Sequence, residues 1–129
     1  MNFKQLSALA KKEKVKLDGV LDIHSLNKNK KGKYFIYLME KFPDSGIPGH
    51  FVALIKGEHQ ENYFFDSFGL PPIEEIISFL HVPIKYSTFQ IQNIEDKTCG
   101  PLCIKLLKEY QKNFDFEKAV LSMGPKERS

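Results

Sequence analysis

The segment around Cys99 combines a thiol with the start of a predicted helix, a position that favours a reactive cysteine. Residues 84–92 are rich in β-branched and aromatic side chains, and apolar residues after Cys99 recur at helical spacing. Asp96 and Thr98 are suitable N-cap residues, and Pro101 is tolerated only in a first helical turn. We therefore expect Cys99 at or beside a helix N-terminus, where unpaired N–H groups and the helix dipole stabilise a thiolate.

The chain has one other cysteine, Cys103, four residues after Cys99. An intrahelical disulfide across this spacing is geometrically awkward, so no disulfide framework is expected, and Cys103 is interpreted as a helix core residue. A simpler alternative is that Cys99 is also a buried and inert helix residue, the more common fate of an isolated cysteine. A zinc site made of both cysteines and two histidines is another alternative, although Cys-x3-Cys is not a usual finger spacing.

A nucleophilic thiol needs a base, and His50 is the distinctive candidate among the four histidines. It begins residues 50–55, a predicted strand buried on both faces, and Asp66 ends the next predicted strand, residues 63–66. If these strands pair as a hairpin around Glu58, His50 lies directly opposite Asp66 and within hydrogen-bonding reach. The imidazole then accepts the thiol proton while the carboxylate fixes its tautomer. The alternative is a purely structural His–Asp pair.

A side-chain amide upstream of Cys99 supplies the remaining group that acyl transfer requires. Gln92 stands seven residues before Cys99, at the end of the β-like segment. With the backbone N–H of Cys99, this amide would form an oxyanion hole for a tetrahedral intermediate. Gln90, two residues earlier and on the same face of a strand, is the competing candidate, and the sequence leaves the choice open.

The order of the predicted elements indicates an α+β fold. We expect a small mixed or antiparallel sheet with the Cys99 helix packed against it. No repeat, low-complexity tract or linker interrupts residues 1–129, so we expect a single domain whose tail, from about residue 124, is frayed. The predicted helices are residues 3–15, residues 73–80, the segment from Cys99 and residues 115–121, and the predicted strands are residues 34–38, 50–55, 63–66 and 84–92.

The composition is that of an ordinary globular protein, with 42% hydrophobic and 27% charged residues. No apolar segment approaches the ~20 residues that a membrane span requires. Residues 1–4 lack the apolar core of a signal peptide, so we expect a reducing compartment and no membrane. Residues 1–33 carry nine lysines and three acidic residues, a charge of +6 that leaves −3 for the remainder of the +3 total. These N-terminal lysines predict weak nucleic-acid contact, although a solvated lysine-rich face is the simpler interpretation.

Three motifs follow one another along the chain. They are His50-Phe51-Val52-Ala53, then Tyr-Phe-Phe-Asp-Ser-Phe-Gly-Leu-Pro-Pro at residues 63–72, and then Gln-x6-Cys-Gly-x-x-Cys at residues 92–103. In this order they resemble the adenovirus-type cysteine proteases, which include adenain and its relatives in virophages and large DNA transposons. The ubiquitin-like-protein proteases, more distant kin, share the order His, Asp, Gln, Cys. The resemblance covers about residues 17–110, and its most specific parts are the second motif and the Gln-to-Cys spacing.

The resemblance implies a papain-like cysteine protease fold of the adenain type, and it assigns roles to four residues. Cys99 is the implied nucleophile, His50 the general base and acid, Asp66 the residue that orients His50, and Gln92 the oxyanion donor. The implied substrates are viral or mobile-element capsid precursors, cut near small residues such as Gly-Gly or Gly-x. The implied location is the virion and the infected host cell, in its cytoplasm or virus factory, and we expect a monomer.

The chain departs from the family in two respects. The family usually has Trp after the catalytic His, whereas this chain has Phe51 and no Trp, so a smaller ring is expected over the imidazole. The domain is also shorter than adenain and lacks its long C-terminal part, so we expect no cofactor and carry over neither its peptide cofactor nor its use of DNA. Two other functions remain as alternatives: a ubiquitin-like-protein isopeptidase, and a non-catalytic basic binding module on a protease fold.

Overall fold

The computed structural model describes residues 2–27, 30–41, 48–57, 62–81, 83–88 and 99–123. Within these ranges the chain forms an α+β fold with one mixed five-stranded sheet and four helices. The helices are α1 (Phe3–Lys12), α2 (Glu74–Leu80), α3 (Cys99–Asn113) and α4 (Phe116–Ser122). The strands are β1 (Gly19–Leu21), β2 (Tyr34–Lys41), β3 (Pro48–Ile55), β4 (Asn62–Phe65) and β5 (Ile84–Tyr86).

The strands lie in the sheet in the order in which they occur along the chain, β1-β2-β3-β4-β5. β1 pairs in parallel with β2 and β5 with β4, whereas the β2–β3 and β3–β4 pairs are antiparallel. The central strand β3 is buried on both faces, because Phe51, Ala53 and Ile55 enter one hydrophobic core while Val52 and Leu54 enter the other. The prediction of a doubly covered strand here is confirmed, and it accounts for the nearly continuous apolar sequence.

Helices cover both faces of the sheet. On one face, a buried cluster contains Leu6 of α1, Leu107 of α3 and Val120 of α4. On the other face, Ile76 and Phe79 of α2 are fully buried. Helix α3 packs against the sheet, as the sequence predicted, and it does so on the central strand β3. This packing brings the element that carries the candidate nucleophile against the strand that carries the candidate base. In the described part of the chain, no helix is both long enough and apolar enough to cross a membrane.

Two helix starts follow their sequence signals. Helix α3 begins at Cys99, with Pro101 in its first turn, where the missing N–H of proline removes no intrahelical hydrogen bond. Helix α4 follows the predicted N-cap Asp115, whose carboxylate accepts a hydrogen bond from the backbone N–H of Lys118 at 3.0 Å. Both starts depend on interactions within a single turn, which is why local sequence predicts them.

Two predicted elements are shorter in the structure. The helix expected to reach Val15 ends at Lys12, since Lys14 adopts a φ of 58°, a left-handed conformation that cannot continue the helix. The strand expected over residues 84–92 ends at Tyr86, and the next two residues are irregular. The prediction, which was based on residues typical of β-strands, therefore made this strand too long.

Several predictions fall on residues outside the described ranges. Residues 89–98 include the candidate N-caps before α3 and both candidate oxyanion donors, and the tail from residue 124 is also outside. Residues 42–47, between β2 and β3, are outside as well.

Candidate active site

His50 and Asp66 form a buried pair at one end of the sheet. Nε2 of His50 donates a hydrogen bond to Oδ1 of Asp66 at 2.7 Å, and each side chain is only 1% exposed. Because Nε2 is engaged by the carboxylate, the opposite ring nitrogen, Nδ1, is the one that can exchange a proton with another group. The structure thus brings together the two residues that the sequence paired.

The register of the hairpin that carries this pair differs from the predicted register. Strands β3 and β4 pair Ala53 with Phe65, which aligns Asp66 with Val52 rather than with His50. The predicted register was wrong by two residues. A shift of two keeps side chains on the same face of a sheet because their orientation alternates with a period of two. His50 and Asp66 are therefore diagonal neighbours, a distance that long side chains can bridge.

A tight turn after β4 holds the Asp66 carboxylate in place. The backbone N–H of Phe68 donates to Oδ1 of Asp66 at 2.9 Å, and the N–H of Gly69 donates to the Asp66 carbonyl at 2.8 Å. Gly69 has a φ of 76°, which favours glycine at this position. Oδ1 thus receives two hydrogen bonds, whereas the buried Oδ2 has no hydrogen-bond partner among the described residues.

An aromatic ring lies over the imidazole, but it is not the ring expected from the sequence. Phe68 stacks on His50 with 4.4 Å between ring centroids and 13° between ring planes. Phe51 points to the opposite face of the sheet, where it makes an edge contact with Phe3 at 6.2 Å. The expectation that Phe51 covers the imidazole was wrong, because consecutive residues of a strand point to opposite faces.

Cys99 occupies the first position of α3 and is partly exposed. Its side chain forms a hydrogen bond with His50, and the backbone N–H groups of Phe51 and Gly100 donate to its sulfur. Burial raises the pKa of the Cys99 thiol, but these hydrogen bonds and the charge of His50 lower it, and the net pKa is below its usual 9.0. The sequence-based expectation of an acidic thiol at a helix start agrees with this environment.

The pKa of the His50 imidazole is shifted in the opposite direction, upward. Burial lowers the pKa of His50, but the hydrogen bonds to Asp66 and Cys99 and the negative charges of both groups raise it from 6.5 to about 9. A raised imidazole pKa beside a lowered thiol pKa favours an imidazolium–thiolate pair at neutral pH. Because the two groups interact directly, they titrate as a coupled pair.

Cys103 lies one helical turn after Cys99 and is fully buried. Its sulfur donates a hydrogen bond to the backbone carbonyl of Phe51 at 3.4 Å, which ties α3 to β3 next to the site. Burial and the nearby charges of Cys99 and Asp66 raise the pKa of the Cys103 thiol well above 9.0. Cys103 is therefore a core residue, as predicted. The pKa values of the two thiols are shifted in opposite directions.

Of the four residues predicted to form the site, the structure brings together His50, Asp66 and Cys99. Gln92 and its competitor Gln90 lie outside the described residues, so the choice between them stays a prediction. Sequence reasoning missed the stacking role of Phe68, although its position in the Asp-Ser-Phe-Gly turn was a signal that the residue lies close to the carboxylate.

Within the described ranges, no group of three or more His, Cys, Asp or Glu side chains is arranged to hold a metal ion. The chain matches no model of a known protein family, and its sequence matches no curated protein.

Proposed function

We propose that the protein is a cysteine endopeptidase with Cys99 as its nucleophile, His50 as its general base and acid, and Asp66 as the residue that orients His50. One observation carries this proposal: hydrogen bonds run from Asp66 through the imidazole to a partly exposed thiol at a helix start. The pKa values of the thiol and the imidazole move in the directions that an activated nucleophile requires.

In the first half of the proposed reaction, the Cys99 thiolate attacks the scissile carbonyl carbon, and the electron pair of the C=O bond moves to oxygen. Backbone N–H groups in the first turn of α3 and the side-chain amide of Gln92 stabilise this oxyanion. The imidazolium of His50 then donates its proton to the amine as the C–N bond breaks, which leaves an acyl-enzyme thioester.

In the second half, neutral His50 accepts a proton from water, and the resulting hydroxide attacks the thioester carbonyl. The C–S bond breaks and the thiolate of Cys99 leaves, which releases a carboxylic acid product and restores the imidazolium–thiolate pair. Asp66 stays ionised and keeps Nε2 engaged throughout, so Nδ1 remains the nitrogen that exchanges protons.

We further propose that the fold is the adenain type of papain-like cysteine protease and that the substrates are viral or mobile-element capsid precursors. The resemblance in three ordered motifs supports the family assignment, and a nucleophile helix packed on the central strand of a mixed sheet is compatible with it. The enzyme would act as a monomer in the virion and the infected cell, cutting near small residues.

Co-expression with the capsid precursor of the same genetic element tests the proposal. Cys99→Ala is expected to abolish precursor cleavage while the chain stays folded, and Cys103→Ala, the matched control, is expected to retain cleavage. Unchanged cleavage by Cys99→Ala would reject the proposed nucleophile. Cleavage of a ubiquitin-like fusion in place of the precursor would favour the isopeptidase alternative.

A further inference from the structure

Phe68 contacts both members of the His50–Asp66 pair. Its ring lies nearly parallel to the imidazole, with centroids 4.4 Å apart and an interplanar angle of 13°. Its backbone N–H donates to Oδ1 of Asp66 at 2.9 Å, and the side chain is almost entirely buried, at 8% exposed. One residue thus holds the carboxylate through its backbone and the imidazole through its ring.

The orientation of the imidazole decides whether the site can work. The ring must keep Nε2 on Asp66 and Nδ1 on Cys99, and rotation about its Cβ–Cγ bond would break both contacts. A flat aromatic ring packed against one face leaves little room for that rotation. The negative face of an aromatic ring also attracts a cation, so it favours imidazolium over neutral imidazole.

We propose that Phe68 is a positioning residue for His50: its ring holds the imidazole in the plane that joins Asp66 to Cys99 and stabilises the imidazolium form. This inference rests on the proposed catalytic role of the Cys99–His50 pair, and it assigns a role to a residue outside the four predicted site residues. In the described part of the chain, the titratable groups that face the imidazole are Asp66, after β4, and Cys99, at the start of α3.

Replacing Phe68 with leucine or methionine removes the ring but leaves the backbone hydrogen bond to Asp66 in place. Phe68→Leu and Phe68→Met keep the N–H that binds Asp66 and most of the buried volume, but neither has a planar ring. Phe68→Tyr keeps the ring and is the conservative variant. Phe79→Leu is the matched control, because Phe79 is buried in the same hydrophobic cluster and packs edge-on against Phe35.

The test is a histidine NMR titration of the full chain, with the His50 signals identified by their loss in a His50→Gln variant. In the unaltered chain, we expect a midpoint near pH 9 and a downfield Nε2–H resonance from the proton shared with Asp66. In Phe68→Leu, we expect the midpoint to fall by about 0.5–1 pH unit, a three- to tenfold loss of proton affinity, and the resonance to broaden.

Phe68→Tyr and Phe79→Leu should retain the midpoint and the resonance. If Phe68→Leu does not fold, Phe68→Met takes its place in the titration, with the same expected result. An unchanged midpoint and resonance in the folded leucine or methionine variant would overturn the inference, as would an equal change in Phe79→Leu. If the Phe68 variants titrate as expected but the unaltered chain cleaves no precursor, the proposed function fails while the positioning role stands.

Discussion

Replacing Asp66 with asparagine removes the charge of the carboxylate but keeps the shape of its side chain. The amide oxygen of Asn can accept the same two hydrogen bonds that Oδ1 now accepts, from Nε2 of His50 at 2.7 Å and from the Phe68 N–H at 2.9 Å. What is lost is the negative charge beside the imidazolium. Burial then dominates, and we expect the pKa of His50 to fall well below its value of about 9.

The size of the effect follows from the pKa of His50 in the folded chain. A rise from 6.5 to about 9 corresponds to roughly 3 kcal/mol of folding stability. Because the folded-state pKa is raised, this stabilisation is fully present below about pH 6.5 and is lost as the pH rises through about 9. The thiolate of Cys99 contributes to the same rise and burial opposes it, so that figure sets only the order of magnitude of the loss in Asp66→Asn.

Urea unfolding of both chains at pH 6 and at pH 10 measures this share. We expect Asp66→Asn to cost on the order of 3 kcal/mol more at pH 6 than at pH 10, because the histidine is largely uncharged in both chains at the higher pH. Asp115→Asn is the control, since Asp115 caps α4 and asparagine caps a helix equally well. An Asp66→Asn cost that is equal at both pH values, or an Asp66→Asn chain in which His50 still titrates near pH 9, would refute the reasoning.

Three further predictions concern the thiols, the pH profile and the oxyanion donor. Iodoacetamide at neutral pH should alkylate Cys99 well before the buried Cys103, and His50→Ala should slow the reaction of Cys99. Equal labelling of the two thiols in the folded chain would contradict the activation of Cys99 by the helix start and His50. Peptidase kcat/KM should rise as the Cys99 thiolate forms and fall near pH 9 as the His50 imidazolium loses its proton, and a rate that stays constant to pH 11 would exclude that general acid. Gln92→Ala should lower kcat by about 10²- to 10³-fold and Gln90→Ala by far less, and the reverse order would identify Gln90 as the donor.

Local signals in the sequence were sufficient to predict the helix that carries Cys99 and the strand that carries His50. The start of α3 at Cys99 depends on the first helical turn, where Pro101 is tolerated, and residues 50–55 read as a doubly buried strand because every position is apolar after His50. The pairing of His50 with Asp66 was also predictable, since the alternation of side chains along two strands places these residues on one face.

The register of β3 against β4 and the ring that covers the imidazole were decided by the tertiary structure. Register depends on how the whole hairpin packs between two cores, so the prediction was wrong by two residues although the face was right. Sequence adjacency suggested Phe51 as the cover, but the pleat of β3 directs that ring away from His50, and the turn after β4 brings in Phe68 instead. The sequence by itself determined which residue types are present and on which faces they lie. The folded chain decided which of them touch, because contacts between elements depend on packing that no single segment contains.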